Sequence, residues 1–263
     1  PFVSFYLYPL AIISFLFPFF MPLFNIGITI FEKLNIFCAQ FTWGKIALPK
    51  VFWGLYLLYF FFFFFYLLSK RKRYFLGLLF AFLSMFLFSK LDSNLHVYYL
   101  DVGQGDATLL DFPHHQKTIL IDTGGKVETF KSEWQKKQNT YSLSQTLISF
   151  FHSIGISKLD ELILTHGDFD HMGEAINLIK KFNVENVTLN CGSQNDLEKE
   201  LVNVLNQKKI KYEFCPKEIK IKKSNLQFLN TKLYDNENDN SSVIYFNFQN
   251  YQFLFMGDAG KNR

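Results

Sequence analysis

Residues 51–69, VFWGLYLLYFFFFFFYLLS, carry no charge, and Lys70-Arg71-Lys72-Arg73 follow before a second apolar run, YFLGLLFAFLSMFLFS (74–89). Crossing a bilayer takes about 20 predominantly apolar residues. Each run is therefore expected to be a spanning helix, with the basic run 70–73 as the turn between them. Basic loops stay on the cytoplasmic side, which sends everything after Lys90 to the periplasm or the extracellular space. The competing reading of the basic run is a nucleic-acid patch, and its place between two apolar runs argues against that. Further upstream, residues 1–30 carry no charge at all, although Pro9, Pro18 and Pro22 break them up. Membrane helices tolerate such kinks. One span over roughly 3–22 is expected, followed by a segment that re-enters or lies on the surface. The mixed segment 32–50 suits an interfacial helix.

Charge divides the chain at the same place. Residues 1–89 hold seven Lys/Arg and one acid, Glu32, while 90–263 hold twenty Lys/Arg and twenty-two acids. The overall net charge of +4 thus belongs to the apolar half. It gives no argument for a polyanion-binding surface in the second half, where such contact would be local or metal-mediated. The chain opens on Pro1 without a charged n-region or a small-residue cleavage site, so it does not start with a signal peptide; it reads as a fragment of something longer. Cys38, Cys191 and Cys215 have no CxxC spacing. Three free buried thiols are the plainer expectation, and a Cys191–Cys215 disulfide is the alternative if the domain lies outside the cytoplasm.

From residue 93 the pattern is that of an α/β domain. Strands are expected at 96–102, 106–112, 117–123, 161–165, 184–189 and 209–214, with further short strands at 218–222, 225–229, 242–248 and 251–256. Helices are expected at 141–155, 173–182 and 196–209, and a polar loop at 126–140. Strands at both ends with alternating units between suggest two sheets covered by helices, an αββα sandwich.

The strand 161–165 runs directly into LTHGDFDHMGE, which places His166, Asp168, Asp170 and His171 within six residues. A loop at the carboxyl end of a strand is where α/β sites usually sit. Imidazole with carboxylate suits zinc, manganese or iron, and the lack of cysteine makes the harder manganese suitable. Two metals about 3.5–4 Å apart would activate water and steady a phosphoryl displacement. The competing reading is that the aspartates cap a helix. Further strand-end acids stand beside glycine, namely Asp101 and Asp106 in LDVGQGD, Asp122 in IDTGG and Asp258 in MGDAG. Singly each reads as a turn residue; together they strengthen the metal reading. His96, His114, His115 and His152 lack such spacing and read as structural or surface residues. VGQGD lacks the helix and Lys of a P-loop and reads as a hairpin turn.

LTHGDFDHMGE resembles the H-x-H-x-D-H metal motif of the metallo-β-lactamase superfamily, with Asp168 at the second His. With LDVGQGDATLL, ILIDTGG, NDNSSV (238–243) and FLFMGDAG in this order, the chain is similar to the DNA-internalisation (ComEC-type) competence family. PFVSFYLYPLAIISF is similar to that family's last channel helices. The resemblance implies an α-helical transmembrane segment (1–92) followed by a metallo-β-lactamase-like αββα domain (93–263). It implies two divalent ions, manganese or zinc. His166 and Asp168 would hold one, Asp170 and His171 the other, and Asp258 would bridge them. Asp170 would also act in catalysis, by orienting the attacking water. Asp122 and Asp101 would be ordering acids, and Asn240 and Ser241 stand where many members place a metal-binding His. The implied partners are single-stranded DNA, the lipid bilayer and other DNA-uptake proteins. The implied location is the cytoplasmic membrane, multi-pass, with the domain outside. The family's pattern continues to a His-His-Gly-Ser run, whereas this chain ends at Arg263. The expectation is therefore a domain incomplete at its C-terminus in a chain truncated at both ends.

Three functions compete on this reading. The first is a metal-dependent phosphodiesterase tethered to a DNA-uptake channel and acting on the non-transported strand. The second is a non-catalytic or degenerate remnant of a DNA-translocation channel protein. The third is another hydrolase of the superfamily, acting on a small phosphoester or lactone.

Overall fold

The computed structural model describes residues 6–40, 51–125, 142–222, 224–230 and 233–260. The polar loop expected at 126–140 and residues 41–50 of the expected interfacial helix lie outside these. The chain divides into two compact units, Pro1–Ile46 and Ala47–Arg263.

In the first unit, helix α1 (Tyr8–Leu16) ends at Phe17, whose backbone is extended (φ −130°, ψ 91°). Pro18 is the cause: the residue before a proline is pushed out of the helical region, and proline brings no N–H. A 3-10 turn, Pro18–Phe20, leads into α2 (Met21–Gln40). The single span expected over 3–22 is thus broken at Phe17. Residues 32–40, expected to lie apart from it, continue α2 instead. Among the described residues, one helical stretch, Pro18–Phe37, is long and apolar enough to cross a membrane.

The second unit opens on a hairpin of α3 (Trp53–Ser69) and α4 (Lys72–Ser89). Lys70 closes α3 in the left-handed conformation (φ 48°), its N–H donating to Tyr66 O. Ring contacts Phe65–Tyr74 and Tyr66–Phe75 tie the two helices together. Outward, Phe60, Phe64, Leu68, Phe80 and Leu87 are each more than half exposed.

Beyond the hairpin, β1 (His96–Tyr99), β2 (Thr108–Asp111) and β3 (Thr118–Ile121) form an antiparallel meander. It extends in parallel through β5 (Glu161–Ile163), β7 (Asn186–Leu189) and β8 (Lys211–Phe214) into a six-stranded sheet of order β1-β2-β3-β5-β7-β8. Two-residue strands β4 (Lys158–Leu159) and β6 (Asn183–Val184) pair beside it. A second, antiparallel sheet has the order β12-β11-β10-β9. Its strands are β9 (Glu218–Ile221), β10 (Ser224–Phe228), β11 (Ile244–Phe248) and β12 (Tyr251–Phe255).

Successive side chains on a strand face opposite ways, so a strand buried on both faces feeds two cores. Leu109, Leu120, Leu162 and Val187 pack toward helices α5 (Leu143–Ser153), α7 (Ala175–Lys181) and α8 (Asp196–Lys208). Leu110, Ile119, Ile121 and Ile163 meet Leu226, Ile244 and Phe246 of the second sheet. The outward face of that sheet carries exposed Asn225, Gln227 and Asn247. Among the described residues this is an α/β sandwich of a helix layer and two sheets. The plainer expectation for the cysteines is corrected: Cys191 and Cys215 are joined in a disulfide, Cα–Cα 4.6 Å. The cross-link is reached because β7 and β8 are adjacent parallel strands and each cysteine lies just past the end of one.

Candidate metal centre

The site grows from the carboxyl ends of β3 and β5, neighbours in the parallel part of the sheet. Asp122 follows β3 in the left-handed conformation (φ 57°), which aspartate tolerates better than most residues. Its N–H donates to Ile163 O at 2.8 Å. Its carboxylate turns back under the neighbouring strand end, accepting from Thr165 N and from Thr165 Oγ1, both at 2.7 Å, and from His171 Nδ1 at 2.9 Å. Asp122 is 1% exposed. These bonds fix the protons of both imidazoles. The single hydroxyl proton of Thr165 goes to Asp122, so its oxygen accepts from His166 Nδ1, 3.1 Å away. Neutral His166 therefore carries its proton on Nδ1 and presents the Nε2 lone pair. The same holds for His171, whose Nδ1 is committed to Asp122. This is the arrangement that second-layer hydrogen bonds impose on metal-ligating histidines.

The loop then turns into a short helix, α6 (Phe169–Met172), which brings His171 back over His166 with ring centroids 4.2 Å apart. Asp168 stands at the N-cap without making a side-chain cap bond, so the capping explanation of that aspartate does not hold. The turn at Gly103–Gly105 packs against the Asp170 carbonyl. Asp258 arrives from the other sheet, just past β12. Gly257 before it needs a positive φ (52°), and a side chain there would press within 3.0 Å of Thr165 Oγ1, so this position takes glycine.

Asp258 Oδ1 lies 3.3 Å from His171 Nε2, and its Oδ2 lies 4.0 Å from His166 Nε2. Asp168 Oδ2 lies 3.5 Å from His166 Nε2. Ligand atoms of His166, His171 and Asp258 all fall within 4.8 Å of one another. His166 is fully buried, and its Nε2 has no hydrogen-bond partner. A buried imidazole nitrogen left unpaired is costly, and a divalent cation would satisfy it. With two imidazoles and carboxylates converging, the residues fit a metal. The protonation of His171 points the same way. Burial pulls its pKa down, but the hydrogen bond and charge of Asp122, with the charges of Asp258 and Asp170, outweigh that and raise it to about 9. Negative potential gathered at this point favours any cation.

Of the remaining expected residues, Asp170 lends its charge to His171, and the others sit elsewhere. Asp101 Oδ1 accepts from Gly103 N at 3.1 Å, closing an exposed turn. Asn240 spends its amide inside its own loop, accepting from Tyr234 N and donating to Tyr234 O and Asn236 O. Buried Ser241 precedes Ser242, whose N–H donates to Thr165 O at 2.7 Å. Asp170 is half-buried between Phe169 and His171. His96 and His115 pair with Asp92 and Asp111, and His114 Nδ1 meets Lys90 O, all away from the centre. Sequence reasoning missed Thr165, whose hydroxyl links Asp122 to His166. A polar side chain closing an apolar strand just before the first His was the available signal.

Residues 100–189 match the metallo-beta-lactamase superfamily. ComE operon protein 3 of Bacillus subtilis (strain 168) is 40% identical over 109 residues, which is 41% of this chain and 14% of that protein. Among solved structures, CmlA, a diiron beta-hydroxylase from Streptomyces venezuelae, is similar at 14% identity and a TM-score of 0.37, covering 64% of this chain and 30% of that one. A possible metal-dependent hydrolase from Veillonella parvula DSM 2008 is similar at 18% identity and a TM-score of 0.35, covering 64% and 63%. The α/β part is a metallo-beta-lactamase superfamily domain. Over the aligned segment the chain is similar to a ComEC-type protein, and that segment represents 14% of the length of the curated relative.

Proposed function

We propose that the chain is a multi-pass membrane component of DNA uptake in natural transformation. On this reading its domain, residues 93–263, lies on the extracytoplasmic side and is a metal-dependent phosphodiesterase acting on the non-transported strand. One observation carries the reading: the Nε2 atoms of His166 and His171 converge on the point where Asp258 arrives, and the His166 nitrogen is buried without a partner. The proposed cofactors are two divalent ions, manganese or zinc. His166 and Asp168 would hold one and Asp170 and His171 the other, with Asp258 as a further ligand. When bound, such ions polarise a phosphoryl oxygen and lower the pKa of water. The chain's own residues do the rest. Thr165 and Asp122 lock the imidazole tautomers, Asp170 orients the attacking water, and Asn240, Ser241 and Asp101 order the neighbouring loops.

The membrane part of the proposal draws on the hairpin, whose exposed faces are apolar as lipid contact requires, and on the four basic residues at its turn. Single-stranded DNA, the bilayer and other uptake proteins are the proposed partners. The test uses the full chain in detergent with Mn²⁺ and a labelled single-stranded oligonucleotide. Cleavage is expected from the wild type and not from Asp170→Ala; equal cleavage by both would count against the reading. A second reading, a non-catalytic channel component, draws on the number of converging ligands. Among the described residues three side chains meet closely, enough for one ion. It predicts metal binding without cleavage by either protein.

A further inference from the structure

We infer that Asn195 is a positioning residue for the metal loop, and that the Cys191–Cys215 disulfide holds it in place. The inference rests on the metal reading above. Gly167, between the proposed ligands His166 and Asp168, offers its carbonyl to Asn195 Nδ2, 2.7 Å away. The same nitrogen donates its other hydrogen to Glu237 Oε1 at 3.0 Å. One amide thus ties the metal loop to the segment that precedes the second sheet's β11. A side chain at position 167 would collide with both Asn195 and Glu237, so the approach is close.

The amide cannot turn away. Its Oδ1 accepts from Glu198 N at 2.9 Å, while Glu198 Oε2 accepts from Asn195 N at 2.8 Å. This reciprocal pair caps α8 and leaves Nδ2 facing Gly167. Asn195 ends a strap, residues 190–195, that leaves the carboxyl end of β7. Within the strap, Ser193 and Gln194 are exposed, and Cys191 and Gly192 are only partly covered. Asn190 at its start is buried, but no apolar side chain anchors residues 191–195. The disulfide does so instead, fixing Cys191 to Cys215, whose N–H donates to Leu189 O at 3.0 Å. A tie at one end and the helix cap at the other restrict the strap's freedom, and with it the position of Nδ2.

The readout is Mn²⁺ affinity of the full chain in detergent, measured by calorimetry. Manganese is chosen because thiols freed by reduction are poor ligands for it. Asn195→Ser keeps an oxygen for the α8 cap and removes the amide donor. We expect Mn²⁺ affinity to fall about 10- to 100-fold, as for other supports of metal ligands, with the melting temperature of the metal-free chain unchanged. Reducing the wild type with a dithiol should lower affinity in the same direction. Reduction of Asn195→Ser should add nothing, because both changes act through one contact. Wild-type affinity in Asn195→Ser overturns the positioning role. Losses that add overturn the link between the cross-link and Asn195. A wild type that binds no Mn²⁺ overturns the metal reading itself and this inference with it, an outcome distinct from equal binding by both proteins.

Discussion

The floor and the rim of the candidate centre are built differently. The floor is His166, His171 and the Asp122–Thr165 pair beneath them, all 2% exposed or less and joined by hydrogen bonds between 2.7 and 3.1 Å. The rim is Asp168 and Asp258, whose side chains are 41% and 40% exposed. Water can solvate the rim carboxylates whether or not a cation is present. It cannot reach the floor, so the nitrogens there must be oriented by the fold. The difference teaches that ligand geometry is stored where solvent is absent, and that charge is supplied where solvent is present.

The comparison breaks most visibly at Asp122. Removing one partner of a buried, hydrogen-bonded charge pair costs about 3–5 kcal/mol, because His171 and Thr165 would be left without an acceptor. Asp122→Ala should lower the unfolding free energy of the metal-free chain by that order. A loss of about 1 kcal/mol or less, typical of exposed pairs, would show that the floor is not prearranged. His166→Ala should act next most strongly, and its distinguishing effect is the loss of metal-dependent stabilisation. At a Mn²⁺ concentration about 100-fold above the dissociation constant, binding to the folded state stabilises by about 2.7 kcal/mol. The wild type should show this shift in thermal unfolding, and His166→Ala should not. A metal-dependent shift retained in the variant would place the ion elsewhere.

A smaller effect, per unit of pH, separates the metal-free floor from the metal-bound one by sign. The folded-state pKa of His171 is raised from 6.5 to about 9. A raised pKa contributes stability that is fully present below 6.5 and is lost as pH rises through about 9. The metal-free chain should therefore lose stability from pH 6.5 toward 9. Metal binding runs the other way, since the cation needs the neutral imidazole and must displace its proton. Mn²⁺ affinity should rise about tenfold per pH unit in this window and flatten above it. Calorimetry in buffers of different ionisation enthalpy should count about one proton released at pH 7.5. No proton released would mean that His171 does not bind the ion.

Much of this was readable in the sequence, and what was not has a common cause. The strands of both sheets announce themselves by apolar runs between glycines and polar turns. The two-residue strands β4 and β6 do not, since so short a pairing has no period to detect. The His166–His171 cluster is legible because its residues are close in sequence. Asp258 is legible only as a strand-end acid, because its approach to the imidazoles depends on how two sheets stack. Thr165 and Asn195 went unread for the same reason. The Asn195-x-x-Glu198 spacing does signal a helix start, but the direction of the spare amide hydrogens is decided by Gly167 and Glu237, distant in the chain. The cysteines, 24 apart in sequence, meet because β7 and β8 are neighbours, which no spacing rule conveys.

The smallest expected effect sharpens the comparison by standing outside it. Asp101 has the same chemical appearance as Asp122, a strand-end acid beside glycine, and its side chain also accepts a backbone N–H, that of Gly103 two residues on. The difference is solvent. Asp101 is exposed, so water replaces the bond if the carboxylate is removed, and such a local turn is worth little when its groups are solvated. Asp101→Ala should shift stability by no more than about 0.5 kcal/mol and leave Mn²⁺ affinity unchanged. A clear loss of affinity would move Asp101 into the centre and require the turn at Gly103–Gly105, which packs against the Asp170 carbonyl, to transmit charge or position to the metal loop. The paired substitutions therefore test whether burial, rather than residue type or its place at a strand end, is what turns an acid into part of the site.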